Sequence, residues 1–293
     1  MKFYDFGPGL PAIRRMLHIA ILKYSAREKR HHNYRFFTDG IGYIDQQIAA
    51  DGLFEQGLIN HICEIAAAHH MTDLYIDIGA NIGNHVVGVS KVFDRVVAFE
   101  PHPVLFHVLQ ANILANNIKG AEAYNYGLGL KDEDSILVEN PDNHGLSKVE
   151  GHTTMSSGYF NLSQEAFSNR HKISIKSALC SLSKYAEYLP KAFIKIDVEG
   201  MEGQILEALM PLLKEHSPLL AFEWVPEEQP ELRKWISELE GYDFYTVSIW
   251  QSSNFLLRHF GNFLRGRKYE IRELDFASLP SLIPLVFAIP RLG

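Results

Sequence analysis

The sequence predicts an α/β protein built on a mostly parallel, doubly wound sheet, and three observations predict it. From residue 74 onward, short apolar runs alternate with longer amphipathic ones, as in strand–helix units laid side by side. The first apolar run, Tyr75-Ile76-Asp77-Ile78, breaks into the glycine turn Gly79-Ala80-Asn81-Ile82-Gly83. The second, Val96-Val97-Ala98-Phe99, closes on Glu100-Pro101, with Glu100 21 residues beyond Gly79. A strand, a tight turn into a helix, and an acid ending the next strand build a nucleoside pocket at the carboxyl ends of parallel strands.

Residues 10 to 30 carry Leu10, Ile13, Leu17, Ile21 and Tyr24 at helical spacing, and a second helix is expected near 53–70. Residues 1–70 thus read as an N-terminal helical extension packed on a core domain of residues 71–293. Strands are expected near 74–78, 95–99, 121–126, 192–197, 218–223, 242–248 and 284–289, and helices near 83–92, 103–117, 200–214 and 227–240. Two insertions interrupt the alternation. Residues 130–180 are polar, with short alternating runs at 135–138 and 173–176; they read as a β-hairpin-like excursion carrying a mobile loop. Residues 251–283 mix aromatic and basic side chains (Phe255, Arg258, Phe263, Arg265, Arg267, Tyr269), and fit either a cap over the pocket or a subunit interface in a homo-oligomer.

Composition narrows the function classes. A hydrophobic content of 46% and a charged content of 22% over 293 residues are ordinary for a globular chain. The net charge of −7 gives no electrostatic reason to expect nucleic acid as a partner. Two cysteines are too few for a disulfide framework, which favours a reducing compartment. No run reaches the roughly 20 apolar residues of a transmembrane helix, because the stretch 279–289 is interrupted by Pro280 and Pro284. With no secretory pattern at the N-terminus, a cytoplasmic location is the expectation.

The glycine pattern selects the cofactor. A dinucleotide site uses Gly-x-Gly-x-x-Gly, whose second glycine lets the backbone approach a pyrophosphate. Here Asn81 and Asn84 take the second and third glycine positions, and Asp77 precedes the first glycine by two residues. An acid there suits an ammonium or sulfonium group better than a pyrophosphate. S-adenosylmethionine carries both cations. Asp77 is therefore expected to hold the methionine ammonium, with Gly79, Asn81 and Gly83 shaping the turn. Glu100, beside Pro101, should accept from both ribose hydroxyls. Asn125 and Gly127, after the third strand, are expected at the adenine, with a simple turn role for Asn125 as the alternative.

These blocks resemble the FkbM family of S-adenosylmethionine-dependent methyltransferases. The resemblance lies in Asp77 to Gly83, Phe99-Glu100-Pro101, the segment Asn125 to Gly129, and Phe193-Ile194-Lys195-Ile196-Asp197-Val198-Glu199-Gly200. It implies the class I methyltransferase (Rossmann-like) sheet of seven strands, helices on both faces and the last strand antiparallel. It also implies methyl transfer, usually to oxygen on a sugar, glycan or secondary metabolite, with nitrogen methylation as the alternative. Tyr126 and the 251–283 insertion depart from the family's usual pattern and bear on the acceptor.

Asp197 and Glu199 end the fourth strand, where the methyl group should point. Methyl transfer to an alcohol needs a group within hydrogen-bond reach that can take the proton. Glu199, Asp197, Glu223 at the end of the fifth strand, and His144 on the loop are the candidates, Asp197 also lining the cofactor. Lys195 alternates to the opposite face from Ile194 and Ile196 and can pair with one of these acids. Three acids on one rim could hold Mg²⁺ through oxygen ligands, but metal-free carboxylate chemistry is the default, and no metal ligands are assigned. A nicotinamide oxidoreductase and a non-catalytic scaffold are the remaining alternatives; the missing glycine and the intact Asp77, Glu100 and Asp197 stand against them.

Overall fold

A computed structural model of the chain describes residues 16–17, 34–38, 43–139, 147–151, 169–227, 229–249, 269–276, 279 and 283–291. Of the helix expected over 10–30, only residues 16–17 fall among these, and they are helical. Helices α1 (Tyr43–Asp51) and α2 (Gln56–Ala68) precede the core. There follow β1 (Leu74–Ile78), α3 (Asn84–Val89), β2 (Arg95–Phe99), α4 (Pro103–Ala115) and β3 (Ala121–Tyr124). The excursion holds β4 (Gly127–Gly129), β5 (Glu133–Glu139), β6 (Lys148–Val149) and β7 (Asn169–Ser177). The second half holds α5 (Ala178–Ser183), β8 (Ala192–Ile196), α6 (Glu202–His216), β9 (Leu219–Trp224), α7 (Leu232–Glu238), β10 (Tyr242–Ile249), β11 (Tyr269–Glu273) and β12 (Ile283–Pro290).

The central sheet runs β3-β2-β1-β8-β9-β12-β10-β11. Neighbours from β3 to β9 are parallel, whereas β12 is antiparallel to both β9 and β10. This is the seven-stranded order that the resemblance implies, with one correction. Part of the 251–283 insertion forms an eighth strand, β11, antiparallel to β10 at the sheet edge. A five-residue run with alternating Glu270, Arg272 and apolar positions is a weak signal on its own, since its pairing partner lies some twenty residues away in sequence.

Strands β1 and β8 are buried along their whole length, as expected when helices cover both faces of a parallel sheet. Side-chain alternation splits the core in two. Leu74, Ile76, Ile78, Ile194 and Ile196 pack under Ile205, Leu206 and Leu209 of α6. Tyr75, Phe193, Ala98 and Leu219 pack under Ile59 and Ile62 of α2, Val86 of α3 and Leu109 of α4. The N-terminal helix α2 is thus part of the core layer. Helix α7 starts later than the expected 227–240, because buried Gln229 closes a turn there: Trp224 Nε1 donates to its carbonyl at 3.1 Å and the Val225 amide to its Oε1 at 3.2 Å.

The excursion is a separate sheet ordered β4-β7-β5-β6. β5 pairs antiparallel with β7 from Glu133–Ile175 to Glu139–Asn169, the hairpin-like pairing expected from the alternating runs. Its apolar face, with Leu137, Val149, Ile173 and Ile175, packs on Met201 at the start of the fourth crossover.

Candidate active site

One cavity of about 400 Å³ opens at the carboxyl ends of β1, β2, β8 and β9. This is where open α/β sheets bind ligands, and the volume suits a single small-molecule ligand. Its floor is the turn after β1. Gly79 has φ +89°, and a Cβ there would lie 1.8 Å from the Asp197 carbonyl oxygen. The turn can therefore pass against the end of β8 only with glycine. The amides of Gly79 and Ala80 both donate to the Phe99 carbonyl at 3.0 Å, which holds the turn to the end of β2. Gly83, with φ +85°, fits against Leu109 Cδ1, which an added Cβ would approach to 2.5 Å.

Glu100 lines the cavity and is only 6% exposed. Its Oε2 accepts from the Asn81 amide and its Oε1 from the His102 amide, both at 2.7 Å. Burial pushes its pKa up to about 7 against those two amides, with Asp77 and Asp197 adding to the rise. Pro101 and Gly127 also line the cavity. Asn125 does not: its exposed side chain donates to the carbonyls of Glu100 and Pro101 at 2.9 and 3.2 Å, the turn role held open above.

His102, 2% exposed, caps helix α4. Its Nδ1 accepts from the amides of Val104 and Leu105 at 3.1 and 3.3 Å. A neutral ring accepting at Nδ1 carries its proton on Nε2, and Nε2 lies 3.3 Å from Glu139 Oε1. His171 Nε2 is 2.8 Å from the other oxygen of Glu139. This trio joins the excursion to the loop that bears Glu100. Metal ligation through His102 Nε2 would move the proton to Nδ1 and break the cap.

Asp77 is 1% exposed and is not among the cavity-lining residues. It stands in register with Lys195 on the adjacent β8, whose Nζ lies 3.5 Å from Asp77 Oδ1 and 2.9 Å from Asp197 Oδ2. The pairing expected of Lys195 is therefore present. Asp77 thus turns Oδ1 toward Lys195, while its buried Oδ2 has no hydrogen-bond partner among the described residues. Burial raises the Asp77 pKa while Lys195 opposes the rise; the two acids hold Lys195 above the ordinary lysine range.

Asp197, Glu199 and Glu223 do converge, each offering an oxygen within 4.8 Å of the others. The convergence has a backbone cause. Glu199 adopts φ +55° and Gly200 φ +105°, a left-handed turn that costs a non-glycine residue on the order of 1–3 kcal/mol. Glu202, fully buried at the start of α6, accepts from the amides of Val198 at 2.9 Å and Gly200 at 3.0 Å, and from Gln229 Nε2. Burial lifts Glu202 to about 7. The pKa values of both Glu199 and Glu223 are pushed well above the carboxylate range, chiefly by burial. Glu223 and Asp197 add to the rise at Glu199, as do Asp197 and Glu202 at Glu223. His144 lies outside the described residues.

Three contributors escaped sequence reasoning. Glu202 was indistinguishable from an ordinary first-turn acid. Glu55 and His85 line the cavity together with Ile44, Phe54 and Leu58, so the N-terminal extension forms one wall of the site. Only the position of His85, two residues after Gly83, could have pointed to it.

A parallel-sheet crevice with a glycine turn, an acid on the neighbouring strand and an acid rim defines the class I methyltransferase architecture. The chain belongs to the FkbM methyltransferase family, whose Methyltransferase FkbM domain matches residues 77–245. It is 25% identical to Methyltransferase 1 of Beauveria bassiana, in a match covering 46% of this chain and 57% of that protein. Among solved structures it is similar to the FkbM methyltransferase of Methylobacillus flagellatus, at 15% identity and TM-score 0.40, covering 87% of this chain and 56% of the other. It is also similar to an O-methyltransferase of Bacillus cereus solved with SAH, at 12% identity and TM-score 0.39, covering 86% and 99%. The chain thus spans little more than half the length of the first two relatives. No described helix is long and apolar enough to cross a membrane.

Proposed function

We propose that this protein is an S-adenosylmethionine-dependent methyltransferase that acts on a hydroxyl of a small-molecule or glycan acceptor. The observation that carries the reading is the convergence of Asp197, Glu199 and Glu223 in the same cavity as Glu100 and the Gly79 turn. The residues present fit the cofactor. Gly79 leaves a cradle that any side chain would fill. Glu100 offers a carboxylate for the ribose hydroxyls. Among the described residues lining the cavity, the acids Glu55, Glu100, Asp197, Glu199 and Glu223 accompany a single lysine, Lys195, and burial raises the proton affinity of Glu100, Glu199 and Glu223.

S-adenosylmethionine, when bound, supplies an electrophilic methyl group on a positively charged sulfur. The chain's own tasks are alignment, exclusion of water and removal of the acceptor proton. Leu137, Val149 and Ile175 of the excursion roof the cavity. Glu199, its proton affinity raised by burial and by Glu223, takes the proton of the acceptor hydroxyl, as a positioned side chain within hydrogen-bond reach does in general-base catalysis. Lys195 holds Asp197 in place and balances its charge.

A second reading is transfer to an amine or amide nitrogen, whose proton the same three acids are placed to take. Titration calorimetry with S-adenosylhomocysteine, with and without Mg²⁺, tests the cofactor. Micromolar or tighter binding supports the proposal; no binding in either condition refutes it. Mass and NMR analysis of methylated acceptors then separates O–CH₃ from N–CH₃ products.

A further inference from the structure

The acid rim is made by two neighbouring chain segments: the turn after β8 carries Glu199, and Glu223 stands at the end of β9. A buried polar bridge joins these segments, and the chemistry above leaves it without a role. Glu202 is fully buried and Gln229 is 3% exposed. Glu202 accepts from the amides on either side of Glu199, Val198 at 2.9 Å and Gly200 at 3.0 Å. Gln229 Nε2 donates to the same carboxylate, while its Oε1 accepts at 3.2 Å from the amide of Val225, two residues past Glu223. The Gln229 backbone is fixed as well: its carbonyl accepts from Trp224 Nε1 at 3.1 Å, and its amide donates to the Val225 carbonyl at 2.9 Å. The two segments pack closely, since a Cβ on Gly203 would lie 3.2 Å from the Glu231 side chain.

We infer that Gln229, acting through Glu202, is a positioning residue that holds Glu199 against Glu223. The inference deepens the methyl-transfer reading and rests on its assignment of the acid rim. Glu199 sits at φ +55°, a conformation that a non-glycine residue keeps only where its surroundings impose it. The imposing contact is the Glu202 carboxylate, which binds the amides before and after that residue. A carboxylate holding two amides still has acceptor capacity, and Gln229 fills it. The Gln229 amide can point only one way, with its oxygen toward the Val225 amide and its nitrogen toward Glu202.

The bridge opposes a repulsion. Two carboxylates sharing a site disfavour each other's charge, and Glu223 adds to the rise in proton affinity at Glu199. Asp197 and Glu202 act on both acids; Lys148 of β6 also faces Glu199, and Lys195 and Glu55 face Glu223. Without the bridge, the strained turn relaxes and carries the Glu199 carboxylate away from Glu223.

The test follows the side-chain carboxyl carbons of Glu199 and Glu223 by NMR against pH, in ligand-free protein labelled with carbon-13 glutamate. In the wild type, Glu223→Gln should lower the Glu199 midpoint by about one pH unit or more, the mark of two strongly interacting groups. Gln229→Met offers a side chain of similar length with neither a donor nor a strong acceptor. In that background the same replacement should shift Glu199 by about 0.3 unit or less, the scatter within which independent sites add. An undiminished shift would overturn the inference even if Gln229→Met melts at a lower temperature, because a purely structural residue gives that combination. No shift in the wild type would overturn it too, since there would be no pairing to maintain. Gln229→Asn, one methylene too short to reach both partners, should repeat the Gln229→Met result and serves alone if the methionine variant does not fold. S-adenosylhomocysteine binding to the wild type, measured alongside, reports the cofactor reading separately. Its failure would refute that reading, while the carboxyl titrations decide the role of Gln229.

Discussion

Lys195→Met is the most demanding test of the structural account of the site. The substitution keeps an unbranched side chain one atom shorter and removes the charge between Asp77 and Asp197. Asp197 is 39% exposed at its side chain, so water screens most of its share of the interaction. Asp77 is 1% exposed and stands in register across β1 and β8; it would be left as a buried carboxylate without a cation. Breaking a buried pair in this way costs about 3–5 kcal/mol, a large part of the stability of an ordinary domain. The loss should depend on pH. Burial already raises Asp77 despite Lys195, and removing Lys195 raises it further. The folded state then holds a proton that the unfolded chain releases, and stability falls as pH rises through that window. The deficit should be smallest near pH 4, about where unfolded carboxylates titrate, and should grow toward neutral pH. Urea unfolding of the wild type and Lys195→Met at pH 5 and pH 8 measures it. In Asp77→Asn/Lys195→Met, where the Asp77 carboxylate is removed together with its cation, much of the loss should be recovered. A deficit below about 1 kcal/mol at pH 8, the range of an exposed pair, or one independent of pH, would refute the reasoning.

Three further outcomes are expected. Gly79→Ala would drive a methyl group into the Asp197 carbonyl, adding overpacking strain of about 1–3 kcal/mol; thermal melts should show the loss, together with weaker S-adenosylhomocysteine binding, and unchanged melting would mean that the turn relaxes freely. Wild-type affinity for S-adenosylhomocysteine should fall as pH drops below about 7, because Glu100 gains its proton there and loses acceptor capacity toward the ribose; Glu100→Gln should bind more weakly with a flat pH profile, and a wild-type profile equally flat would remove Glu100 from the ribose. Glu199→Gln should lower turnover about 10²–10⁴-fold, the usual contribution of a general base, while leaving S-adenosylhomocysteine affinity intact; full turnover with a methylated acceptor in hand would exclude Glu199 as the base.

Local chemistry was legible where a residue's role depends on its immediate neighbours in the chain. The apolar runs of β1 and β2, the glycine turn and the acid closing β2 all follow from backbone sterics and period-two burial, which act over a few residues. The segment Asp197-Val198-Glu199-Gly200, ending the fourth strand, likewise located the rim. Glu223 joined it on paper because strands of a parallel sheet end at the same side.

The chain alone determined the sheet, the family and the ends of the strands at which chemistry could occur. Only the tertiary structure decided which acids face the cavity. Asp77 and Asp197 both sit at positions that suit a cation, and cross-strand register sets Lys195 between them. Glu55 lies far from every motif in sequence, yet packing of α2 on the β1 face brings the turn before it to the pocket. Burial then sets the protonation of Glu100, Glu199, Glu202 and His85. Desolvation depends on what surrounds a group in space, and long-range packing supplies those surroundings.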